Sequence, residues 1–291
     1  MQFYQPEKIN ETITVLRSLC GELLYLIEGE EKAILIDTGE GVGHLRKLVE
    51  SLTDKPLTVL LSHGHVDHAP GAPEFDTVYM NVKDLSIYRR MCTLEKRKGY
   101  LQACMGSGYS ELTEEDFVAP DPDQEFLPLH GGMEFDIGGI HIEAYDFPGH
   151  TPGCMAFLVR ELRTVILGDA CNNATFLFDE DSTSLEEYIE SVKHAKAVLD
   201  GKYDHVYLMH HVMETGTEIM DNILDVCAEA MAGTADDIPF DFLGNHAFIA
   251  KKCNQRFERE DGKCGNIIYN KEKRYKSEGF CYLNSNAATA G

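Results

Sequence analysis

Short apolar runs broken by acidic and glycine-containing turns mark the N-terminal part of this chain. Ile13-Thr14-Val15-Leu16, Leu23 to Ile27 and Ala33 to Ile36 predict an opening β-meander, with Glu28-Gly29-Glu30-Glu31 as a hairpin turn. The period then changes. Leu45, Leu48, Val49 and Leu52 fall at helical spacing and predict an amphipathic helix over residues 43–53. Leu185, Tyr188, Ile189, Val192, Ala195 and Leu199 predict a second helix over 185–199, opened by the cap residue Ser184. Ile219, Ile223, Val226, Cys227, Ala230 and Met231 predict a third, ended by Gly233. These stripes read as core-facing. The small-residue tail Asn284 to Gly291 is expected to fray, and no internal repeat interrupts the pattern.

Several apolar runs end in residues that carry chemistry. Val59-Leu60-Leu61-Ser62 leads into His63-Gly64-His65-Val66-Asp67-His68, which packs three imidazoles and a carboxylate into six residues. Residues two apart in an extended loop project to one side, so His63 and His65 can grip one cation while Asp67 and His68 turn toward a neighbouring position. Imidazole nitrogens with a carboxylate are the ligand set zinc prefers, and manganese, iron or cobalt accept it. The alternating segment Ile140 to Tyr145 precedes His150, Thr164 to Gly168 precedes Asp169, and Val206 to Met209 precedes His210. A strand that ends in a ligand, repeated four times, describes one site at one sheet edge.

This set resembles the metallo-β-lactamase superfamily over residues 12–212: His-x-His-x-Asp-His, a His in the Gly149-His150-Thr151-Pro152-Gly153 turn, an Asp after a strand, and a His after another strand. The resemblance implies an α+β fold, a four-layer αβ/βα sandwich of two packed mixed β-sheets with outer helices. It implies two divalent metal ions, Zn2+ first with Mn2+ or Fe2+ as substitutes. His63, His65 and His150 would hold one, and Asp67, His68 and His210 the other, with Asp169 bridging. His211 occupies a position where relatives carry glycine, and Asp37 in Asp37-Thr38-Gly39 is expected to orient ligating histidines. The expected reaction is hydrolysis by a metal-bridging hydroxide, with Asp67 and Asp169 as catalytic carboxylates.

The substrate follows less directly. Asp169 argues against β-lactamases that place a Cys there or lack the bridging carboxylate. Lactonases of the superfamily carry a Tyr three residues after that Asp, where this chain has Asn172, and glyoxalase-II-like thioesterases carry Gly-Cys-Gly-Arg where it has Cys171 to Phe176. The expectation is a small-molecule ester, lactone or thioester, with Tyr109, Asn172 and His211 as substrate contacts. An iron-dependent, persulfide-dioxygenase-like redox enzyme is the alternative from another class; a phosphodiesterase or β-lactam hydrolase are alternatives within hydrolysis.

Charge narrows the partners. With 26 basic against 49 acidic side chains the formal charge is −23, which opposes a phosphate backbone and argues against nucleic acid as partner. The nine cysteines form no Cys-x-x-Cys pair, as expected of buried thiols rather than a disulfide framework. No apolar run is long enough to span a bilayer and the start lacks a signal-peptide pattern, so a cytoplasmic enzyme without a membrane partner is expected.

The organisation expected is a catalytic domain over 1–232 and a C-terminal appendage over 233–291, packed on the domain or on a second copy in a homodimer. Residues 84–126, with the basic stretch Tyr88 to Tyr100, form an insertion that either roofs the site through Tyr100, Met105 and Tyr109 or makes a plain surface helical pair.

Overall fold

The computed structural model describes residues 1–276. The opening meander consists of β1 (Gln5–Lys8), β2 (Ile13–Arg17), β3 (Leu23–Glu28) and β4 (Ala33–Ile36), each antiparallel to the last. Helix α1 (Leu45–Leu52) then returns the chain so that β5 (Leu57–Leu60) lies parallel to β4. The helix starts later than its apolar spacing suggests, because Gly43 and His44 hold left-handed backbone at φ 75° and 53°. Strand β6 (Val78–Met80), helices α2 (Leu85–Met91) and α3 (Leu94–Met105), and β7 (Leu127–Pro128) follow, completing a seven-stranded sheet in sequence order.

The second sheet takes β8 (Glu134–Asp136), β9 (His141–Asp146), β10 (Met155–Val159) and β11 (Thr164–Ile166); β12 (Thr175–Leu177) leaves it, and β13 (His205–Tyr207) and β14 (Glu214–Thr215) complete it in the order β14-β13-β11-β10-β9-β8. Helix α4 (Leu185–Leu199) has the bounds its pattern predicts, because Ser184 and Glu187 close a capping box. Helix α5 (Ile219–Ala232) stops at Gly233, left-handed at φ 71°. Residues after 232 build β15 (Ile238–Phe242), β16 (Asn245–Ile249) and β17 (Ile267–Tyr269), and β17 pairs in parallel with β12, so the C-terminal strands share a sheet with the segment following Asp169. The tail Asn284–Gly291 lies outside the described residues.

Alternation within the strands creates the layers. On β3, Leu23, Tyr25 and Ile27 face Ile142, Ala144, Met155 and Phe157 of the second sheet, while Leu24 and Leu26 face Leu45 and Val49 of α1. The other face of the second sheet, through Ala156, Leu158 and Val165, packs on Tyr188 and Val192 of α4 and Ile223 and Val226 of α5. Helix, sheet, sheet, helix is the expected four-layer sandwich. The sheets meet closely at Gly29, where an added Cβ would stand 2.2 Å from the carbonyl oxygen of Ile137.

Direction places the chemistry. Strands β9 and β11 both run antiparallel to β10, and β13 runs parallel to β11, so all three end at the same edge. Those ends carry His150, Asp169 and His210.

The basic stretch 88–100 is two helices rather than one, because Thr93 accepts a hydrogen bond from the Lys96 N–H and restarts the chain. Its buried members also depart from a plain surface pair: Tyr88, Arg97 and Leu101 are wholly buried. Among the described residues no helix is long and apolar enough to cross a membrane.

Candidate metal centre

His63, His65, Asp67, His68, His150, Asp169 and His210 come together at the edge where these strands end. Asp169 is the hub. Its Oδ2 lies 3.2 Å from His210 Nε2, 3.5 Å from His68 Nε2, 3.7 Å from His150 Nε2 and 4.0 Å from His63 Nε2. Asp67 Oδ2 stands 3.5 Å from the Nε2 atoms of both His68 and His210. His63, His65 and His150 form a second group whose ligand atoms lie within 4.8 Å of one another.

The outer hydrogen bonds fix which nitrogen of each ring faces inward. His68 Nδ1 donates to Asp37 Oδ2 at 2.7 Å, leaving the lone pair on Nε2. Ser62 Oγ spends its proton on the same Asp37 oxygen at 2.6 Å, so it accepts from His63 Nδ1 at 3.0 Å, and His63 Nε2 carries a lone pair. His150 Nδ1 donates to the Phe176 carbonyl at 2.8 Å. His65 differs, with Asp181 Oδ2 3.8 Å from its Nε2 and its Nδ1 turned 2.9 Å from His150 Nε2. Two imidazole nitrogens facing each other at that distance, and a buried His63 Nε2 without a hydrogen-bond partner, fit a shared cation. Asp37 behaves as the sequence suggested, bonding a ligating ring and Ser62.

Charge within the cluster is uneven. Burial, reinforced by His68 and His65, pushes His63 well below the usual imidazole value, and burial with His65 lowers His150. Burial opposes protonation of His68 and His210 as well, yet Asp67 raises the first and Asp169 raises the second to about 9. Burial likewise disfavours the Asp169 carboxylate, but His210 and His68 hold it well below the ordinary range. Those are the protons that metal binding would release.

Asp84 escaped the sequence reading because no spacing marks it. It is wholly buried and accepts from Gly64 N at 3.0 Å, Gly153 N at 2.7 Å and Thr151 Oγ1 at 2.6 Å. It therefore ties the loop of His63 and His65 to the loop of His150. Asp84→Asn keeps the shape but loses one acceptor oxygen. The expected result is a loss of about 1–3 kcal/mol of stability and a metal affinity about 10- to 100-fold weaker, measured by thermal unfolding and by competition with a chelator. Unchanged metal affinity would remove Asp84 from the architecture of the centre.

The three expected substrate contacts are placed differently from one another. Asn172 is buried beneath Asp169, its Nδ2 3.3 Å from Asp169 Oδ1 and its Oδ1 accepting from Ala174 N, so its amide orients the carboxylate rather than facing open space. Tyr109 lies on a turn after α3, partly buried, and among the described residues its hydroxyl bonds none of the candidate ligands. Tyr100 reaches inward instead, its hydroxyl 3.2 Å from Asp67 Oδ2 and 2.5 Å from Glu22 Oε1. His211 is exposed, with φ 62°, a conformation that favours glycine, and its ring lies 4.9 Å from that of Phe257. Phe257 belongs to an aromatic group with Phe176, Phe178, Phe240 and Phe242 beside His150 and His211.

A four-layer sandwich with clustered histidines and aspartates at the strand ends defines a class of metal-binding proteins. The chain belongs to the metallo-β-lactamase superfamily, whose sequence profile matches residues 18–203. It is 29% identical over 156 residues to the lactamase-like protein ptaB of Pestalotiopsis fici, covering 52% of this chain and 40% of that protein. It is 26% identical over 180 residues to an atrochrysone carboxyl ACP thioesterase of Aspergillus fumigatus, covering 60% of this chain and 47% of that one. The chain thus spans less than half the length of either relative. A metallo-β-lactamase from Pontibacter korlensis shares the fold at TM-score 0.55 and 16% identity, covering 77% of this chain and 99% of that chain.

Proposed function

We propose that this chain is a dinuclear-metal hydrolase of a small-molecule ester, lactone or thioester, with acyl thioesters first. The observation that carries the reading is the single oxygen, Asp169 Oδ2, set within 4.0 Å of four imidazole Nε2 atoms. His63 Nε2, His65 Nδ1 and His150 Nε2 would hold one cation, and Asp67, His68 and His210 the other, with Asp169 between them. Two divalent cations there would supply hydroxide at neutral pH, by lowering the pKa of water from near 16 to about 7, and a Lewis acid for the carbonyl oxygen.

The chain's own groups do the rest. Asp37, Ser62 and the Phe176 carbonyl hold the rings so that no reorganisation is needed as charge develops. Asp67, whose Oδ2 lies 3.2 Å from the Tyr100 hydroxyl, would take a proton and return it to the leaving group. The phenylalanines beside His150 and His211 offer an apolar wall suited to an acyl or aryl substituent. The thioesterase named among the relatives supports the thioester, and the net charge of −23 disfavours a polyanionic substrate.

Protein purified without added metal is expected to carry at least two zinc or manganese ions per chain and to hydrolyse acyl thioesters, with activity lost to a chelator and restored by zinc. One iron per chain with oxygen consumption and no thioester hydrolysis would replace this reading with the redox one. Preference for phosphodiesters would overturn the argument from charge.

A further inference from the structure

Next to the histidine cluster, and meeting it where Glu22 lies within 4.8 Å of Asp67 and His210, is a group with different donors. Cys20, Glu22 and Glu40 each place a ligand-type atom within 4.8 Å of the others. Glu22 and Glu40 are buried, with 1% and 0% of their surface exposed, and among the described residues no lysine, arginine or histidine pairs with either carboxylate. Arg97 is close, yet all of its hydrogen bonds go to the backbone carbonyls of Glu40, Gly41 and Val118. Ser18 Oγ is shared between Glu22 Oε2 and Glu40 Oε1, and its one proton can serve only one of them. Glu40 Oε2 is buried without any hydrogen-bond partner.

An ionised Glu40 leaves a bare charge on the unpartnered Oε2. Burial and the neighbouring Glu22 carboxylate push Glu40 well above the ordinary carboxylate range, and the proton held there is the one a cation would displace. The thiol beside it sets the kind of cation: soft sulfur with two carboxylate oxygens suits a thiophilic divalent ion. The Cys104 thiol, 3.7 Å from the Cys20 carbonyl oxygen, stands within reach as a further donor.

We propose a third cation site, built from Cys20 Sγ and the Glu22 and Glu40 carboxylates, that takes a thiophilic divalent ion of the zinc type. Binding replaces the thiol proton, which passes to solvent, so the site holds thiolate only when loaded. The proposal does not depend on the hydrolytic reading; it adds an ion joined to the Asp67 side of the histidine cluster through Glu22 and the Tyr100 hydroxyl.

The two sites can be told apart by colour, because the histidine cluster offers only nitrogen and oxygen ligands. Metal-free protein, kept reduced with a phosphine, is titrated with Co2+ while near-ultraviolet absorption and bound metal are followed together. The expected result is three equivalents per chain, one of which brings a sulfur-to-cobalt charge-transfer band. Cys20→Ser is expected to bind two equivalents without the band, and Glu40→Gln to weaken the band-forming equivalent about tenfold or more. Saturation of the wild type at two equivalents without the band would overturn the proposal, as would a band of full intensity in Cys20→Ser. The wild-type titration decides even where a variant fails to fold.

Discussion

Asp169→Ala is expected to bind fewer metal ions than the wild type and to lose more than about 100-fold in kcat, beyond the range for residues that only support a ligand. The reason is geometric. One oxygen, Asp169 Oδ2, faces His68 and His210 on one side and His63 and His150 on the other. Alanine removes the only carboxylate that, among the described residues, faces both groups. It also leaves the Asn172 amide, now bonded to Asp169 Oδ1, without that acceptor. Asp169→Asn separates shape from charge: it fills the same space and cannot bridge two cations as a carboxylate does. Metal content by elemental analysis, alongside turnover of an acyl thioester, checks both variants. Wild-type metal content with near-normal turnover in either would break the assignment of Asp169 as the shared ligand.

The second large effect falls on stability. Arg97→Ala is expected to cost about 3–5 kcal/mol, because three buried carbonyls lose the guanidinium at once and only that of Gly41 keeps another donor, the Val118 N–H at 2.9 Å. Arg97 Nε donates to the Glu40 carbonyl at 2.8 Å and Nη1 to that of Val118 at 2.7 Å, with Nη2 on Gly41. Its Cζ lies 5.6 Å from the centre of the Phe117 ring. Burial lowers the pKa of this guanidinium, the direction expected of a charge far from water. Lysine cannot replace the fork, since one ammonium does not reach three separate carbonyls in a plane. At roughly 2–4 °C per kcal/mol for a chain of this size, melting should fall by about 10 °C. Tyr100 follows Arg97 by one helical turn and touches Asp67, so the variant should also bind metal more weakly. A melting temperature within about 2 °C of the wild type would show that these carbonyls find water instead.

Arg97 shows where sequence reading stops. Between Lys96 and Lys98 in a run of basic residues it has the composition of a solvated face, and no period distinguishes it from its neighbours. It is buried because the β4–α1 loop, held at Gly41 with φ 69°, folds back over α3. Asp84 and Glu22 are similar: each is one acidic residue among many until a distant loop meets it.

The candidate ligand residues were legible for the opposite reason. His63 to His68 lie within one short loop, and His150, Asp169 and His210 each follow an apolar run, so covalent spacing and strand endings already confine them. Helix α4 was equally plain, because its cap, its capping partner and its stripe are all local. By itself the sequence determined the strands of the meander, the main helices and the residues able to bind metal, since those depend on neighbours a few positions away. Only the tertiary structure decided that Asp84 ties the two histidine loops, that Tyr100 rather than Tyr109 meets Asp67, and that Asn172 faces Asp169. The first two contacts join residues distant in sequence, and strand direction and helix packing select them from many residues of the same kind; Asn172 is only three positions from Asp169, and the local turn after β11 sets which way its amide faces.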